Sequence, residues 1–151
     1  MDWEIVYPVM LIGKYGPGVM DNFEALTTTD RTSLAGGDYK DDLLVDSIGQ
    51  ARRLKGAREL PSSLGWWREF WHSSFLIRVE LIFDSEIARV AVDELKERVW
   101  ESVAGLTGLA ATWNPGSISR DQLKASLKTA ATFEEVFRLV REFSIIRKEL
   151  R

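Results

Sequence analysis

A chain of 151 residues, 45 % hydrophobic and 28 % charged, has the length and balance of one globular domain spanning residues 1–151, large enough to bury about two-thirds of its unfolded surface around a single core. With no cysteine and one histidine it excludes thiol nucleophiles, disulfides and the Cys/His sets that zinc requires, leaving only oxygen-ligand ions such as magnesium or calcium open. A net charge of −3, the absence of a run of about eighteen apolar residues and an N-terminus without a basic region point to a cytosolic protein with neither nucleic acid nor membrane as partner.

The first segment, Trp3 to Ile12, reads as a strand. Trp3, Ile5, Tyr7, Val9 and Leu11 share one face by period two, and Pro8, which has no N–H for a ladder, argues for an edge or a bulge. "GKYGPG" then reads as a loop. It lacks the spacing of a phosphate-binding loop, because Tyr15 follows Lys14 where Ser or Thr is needed. Residues 22–37, rich in Thr, Gly and Asp, read as surface loop with at most a short element. Leu43 to Leu60 reads as a β-hairpin turning through Asp46, Ser47 and Gly49, with Gly49 in the positive-φ position. Pro61 to Ser63 ends it. Phe75, Ile77, Val79, Leu81 and Phe83 alternate without a gap, which is the mark of a strand with one buried face.

A helix is expected to follow directly, capped by Asp84 or Ser85 and carrying the stripe Ala88, Val92, Leu95, Val99 and Val103 until Gly105 stops it. Two more helices open on capping boxes, "SRDQ" at Ser119–Gln122 and "TFEE" at Thr132–Glu135. The first faces inward with Leu123, Leu127 and Ala130. The second runs to about Lys148 on Phe133, Val136, Phe137, Val140 and Phe143. Strands first and helices later predict an α+β domain: a small antiparallel sheet made of the N-terminal strand, the hairpin and the strong central strand, with about three helices mainly on one face.

Few residues suggest chemistry. His72 precedes Ser73 and Ser74, but adjacency in sequence does not make a triad, and no GxSxG elbow is present. "DYKDDLLVD" groups Asp38, Asp41, Asp42 and Asp46 without the alternation or closing glutamate of a calcium loop. No catalytic, cofactor-binding or metal-ligating residue is therefore assigned, and no cofactor is expected. The acids read either as a solvated loop or as a patch that steers a basic partner. Across the hairpin, Arg52, Arg53, Lys55 and Arg58 are placed to neutralise part of that charge. "WWREFW" carries Trp66, Trp67, Arg68 and Trp71 at helical spacings. These aromatics cover one end of the sheet or anchor an interface; adjacent Trp66 and Trp67 cannot point the same way, so at least one is expected to face water.

Three stretches, "DDLLVDSIGQARRLKG", "SFLIRVELIFDSEIARVAVDELKERV" and "ATFEEVFRLVREF", cover roughly half the chain and in their architecture resemble the small cytosolic immunity proteins encoded beside bacterial polymorphic or contact-dependent toxins. The resemblance implies a non-catalytic protein that blocks one cognate toxin by direct binding, over about 800 Å² on each partner. On this reading Trp66, Trp67, Arg68 and Trp71 are anchors, and Asp38, Asp41, Asp42 and Asp46 steer. Two alternatives stand beside it: a small enzyme or ligand-binding domain using carboxylates and an aromatic pocket near His72, and a homodimeric structural subunit that buries its aromatics against itself.

Overall fold

Two apolar runs, "VMLI" at 9–12 and "LLV" at 43–45, place hydrophobic side chains on both faces of a strand, and the architecture follows from having to bury both. The computed structural model describes residues 4–60, 76–106 and 117–143. In chain order the elements are β1 (Val9–Gly13), β2 (Gly16–Met20), α1 (Phe23–Leu26), β3 (Thr28–Asp30), α2 (Arg31–Ala35), β4 (Leu43–Asp46), β5 (Gln50–Glu59), β6 (Leu76–Phe83), β7 (Ala88–Arg89), α3 (Val92–Ala104), α4 (Arg120–Thr129) and α5 (Phe133–Phe143). The strands form one antiparallel sheet in the order β2-β1-β4-β5-β6-β3, with β7 also paired to β5. The domain is α+β.

The sheet separates two cores. Met10, Ile12, Leu43 and Val45 pack on one face against α3, α4 and α5, whose inward residues include Leu95, Val99, Val103, Leu123, Leu127, Val136, Phe137, Val140 and Phe143. Val9, Leu11 and Leu44 point the other way, to Met20, Leu26, Tyr39, Leu54 and Val79. The sheet curls round this second core. β5 makes the bend at a bulge between Leu54 and Gly56, pairing with β4 before it and with β6 after it.

Several expectations are corrected. β1 begins at Val9, after a cis Tyr7–Pro8 bond, and lies between β2 and β4 rather than at an edge. Pro8 stands just outside the ladder, so its missing N–H leaves no gap there. The shared face holds for Ile5 and Tyr7, which pack in the same core as Val9 and Leu11, while Trp3 lies outside the described residues. "GKYGPG" is not an open loop but a tight hairpin: Gly13 pairs with Gly16 around Lys14 and Tyr15, and Gly16 at φ +90° completes the reversal. Residues 22–37 hold two capped helices and a strand. Asn22 Oδ1 accepts the Ala25 N–H at 2.8 Å, and Asp30 Oδ1 accepts that of Ser33 at 2.7 Å.

The helix expected from Asp84 begins at Val92 instead. Ala88 lies in β7, and β6 with β7 makes one interrupted strand along the same edge of β5. Ser85 repairs the interruption: its hydroxyl accepts the Arg53 N–H at 3.0 Å and its carbonyl accepts Arg52 Nε at 2.6 Å. Ladder bonding outcompetes the local cap signal. α3 has Ala91 at its N-cap position and so no side-chain cap, Asp93 and Glu94 complement its dipole, and it stops at Gly105 as expected, with φ −80°.

The first capping box forms in full and the second in part. In the first, Ser119 and Gln122 bond reciprocally. In the second, Thr132 Oγ1 accepts the Glu135 N–H at 3.1 Å, while Glu135 reaches back to the Ala131 N–H at 2.9 Å, one residue before the cap. Lys96 of α3 donates to the Ala130 carbonyl at 2.8 Å and so closes the last turn of α4.

Among the described residues one buried side-chain polar atom is left over. The Tyr7 hydroxyl is buried without a hydrogen-bond partner, and burial pushes the phenol pKa up, keeping it neutral. Tyr7→Phe is therefore expected to hold or raise the unfolding free energy, by up to about 1 kcal/mol in urea titration, because it removes an unsatisfied group at little change in shape. A loss of stability on that change means the hydroxyl is bonded.

Candidate functional site

Trp66, Trp67, Arg68, Trp71 and His72 fall in residues 61–75, between β5 and β6, and lie outside the described residues. The four acids fall within them, on the connection from α2 into β4 and at the end of β4 itself, and they do not form one patch.

Asp46 ends β4 fully buried, at 0 % exposure. Its Oδ1 accepts the N–H groups of Ile48 at 3.2 Å and Gln50 at 2.9 Å, and its Oδ2 accepts the Val6 N–H at 3.2 Å and Gln50 Nε2 at 2.9 Å. The carboxylate thus closes the β4–β5 turn and ties the N-terminal segment to it. This corrects the expectation that Asp46 steers a partner: it is an internal acceptor with no surface to offer.

The other three acids sit on a corner of unusual backbone. Gly37, Tyr39 and Asp41 have φ of +92°, +70° and +64°. An aromatic residue in the left-handed region is an outlier that its surroundings must hold in place. The Tyr39 ring is buried in the second core, and its hydroxyl donates to the Leu26 carbonyl at 2.9 Å. Around it the main chain is pinned: Asp41 N–H donates to the Leu54 carbonyl at 3.0 Å, Leu54 N–H to that of Asp42 at 2.8 Å, and Arg53 Nη1 to that of Asp41 at 2.9 Å. Lys14 donates to the Gly36 carbonyl at 3.2 Å, bringing the β1–β2 turn against the corner.

Only Asp41 of the three is exposed; Asp38 and Asp42 are half-buried. Asp38 Oδ2 accepts the Thr29 hydroxyl at 3.4 Å. The Asp42 carboxylate occupies the space over Gly13, where a Cβ would lie 1.8 Å from its Oδ1. Arg58 pairs with Glu80 at 2.5 Å, Arg52 stacks over the Phe83 ring at 4.4 Å, and Arg53 takes a main-chain carbonyl.

No family model, curated protein or solved structure matches this chain.

Among the described residues no group of three or more His, Cys, Asp or Glu could hold a metal ion, and no helix is long and apolar enough to cross a membrane. Asp30 is held below the ordinary carboxylate range, chiefly by the Ser33 backbone N–H and then by the Ser33 hydroxyl. A folded-state pKa below the unfolded one gives stability that is present above the unfolded value, about 3.9, and is lost as pH falls through the folded one. Asp30→Asn keeps the cap but not the charge, so its stability is expected to fall less steeply than wild type below about pH 4, read by urea titration at stepped pH. Equal slopes would remove Asp30 from the acid response.

Sequence reasoning missed the Tyr39 anchor. Gly36, Gly37, Asp41 and Asp42 advertise a corner, but nothing local assigns a left-handed conformation to a tyrosine. It also missed that β3 covers only Leu76–Arg78 of β6, leaving the rest of that edge without a strand beside it among the described residues.

Proposed function

We propose that this chain is a non-catalytic protein-binding module, an immunity protein that neutralises a cognate toxin by direct contact. The observation that carries the reading is the Asp38–Asp42 corner. It offers an exposed carboxylate, Asp41, on a main chain fixed by the buried Tyr39 ring and by bonds to Arg53 and Leu54. An acid displayed on a pre-organised backbone binds a basic surface without an ordering cost, and such complementarity raises the association rate. Trp66, Trp67, Arg68 and Trp71 supply the residue types that anchor interfaces.

The test begins with the product of the neighbouring gene, expressed with this chain and assayed for a complex and for loss of toxicity. Asp41→Lys is expected to slow association about tenfold at low salt, with the difference fading as salt rises. Alanine at Trp66 and at Trp67, each in turn, is expected at one of the two positions to weaken binding by about 2 kcal/mol, roughly thirtyfold. A complex indifferent to both changes sinks the site assignment, and a neighbour that neither binds nor is neutralised sinks the function.

A further inference from the structure

We draw no further inference here: the strongest candidate, the surface patch where the exposed Tyr15 ring at the tip of the β1–β2 turn meets the Asp38–Asp42 corner through the Lys14–Gly36 bond, belongs to the acidic site already described, and nothing in the structure shows what covers it.

Discussion

Asp46→Ala is expected to lower the unfolding free energy by about 3 kcal/mol, although it removes only a short polar side chain. The carboxylate is the shared acceptor for Val6, Ile48 and Gln50, and these donors lie in or beside a part-buried turn where water replaces it poorly. Losing it also loosens the N-terminal segment, which Ser47 still holds through its N–H and hydroxyl on the Val6 carbonyl, both at 3.0 Å, and through its hydroxyl on the Tyr7 carbonyl at 3.5 Å. Asp41→Asn is the matched control. It sits on the surface at φ +64°, a conformation that asparagine tolerates, so its effect is expected within about 0.5 kcal/mol. Urea denaturation of the pair decides the matter. Equal losses would mean that Asp46 does not hold the turn.

Gly49→Ala is expected to cost about 3 kcal/mol or more by the same measurement, from two causes that add. A φ of +89° is unfavourable for any L side chain, by about 1–2 kcal/mol. The new Cβ would also lie 2.6 Å from Phe133 Cζ and 2.9 Å from the Val90 carbonyl oxygen. That carbonyl is main chain at the exit of β7, and Gly49 in turn accepts the Val90 N–H at 2.8 Å, so neither side can retreat alone. Trimming the ring with Phe133→Ala in the same chain is expected to recover part of the loss and not all of it, since the carbonyl clash and the dihedral penalty stay. Full recovery would assign the whole effect to the ring; no recovery would assign it to the backbone.

The fold was legible wherever local chemistry and tertiary demand agree. Ile77, Val79, Leu81 and Phe83 alternate because one face is buried, and they line the second core. Ser119 and Thr132 signal helix starts because their hydroxyls have no better use. Reading failed where a distant partner outbid the local one. Ser85 looks like a helix cap until the Arg53 N–H of β5 is beside it. Pro8 looks like an edge signal until the strand is seen to begin after it. The acids show the same limit: four aspartates within nine residues read alike in sequence, yet one is entirely internal. A cue existed, since Asp followed by Ser-Ile-Gly is suited to bonding its own backbone two residues on, and Asp46 does this to Ile48.

β1 and β4 contribute to both cores at once, Met10 and Val45 on one side, Val9, Leu11 and Leu44 on the other. A dividing wall of this kind couples its two compartments. Melting the helical side strips one face of the very strands that the curled side needs intact, so neither half has a stable existence alone. The chain is therefore built to unfold in a single step.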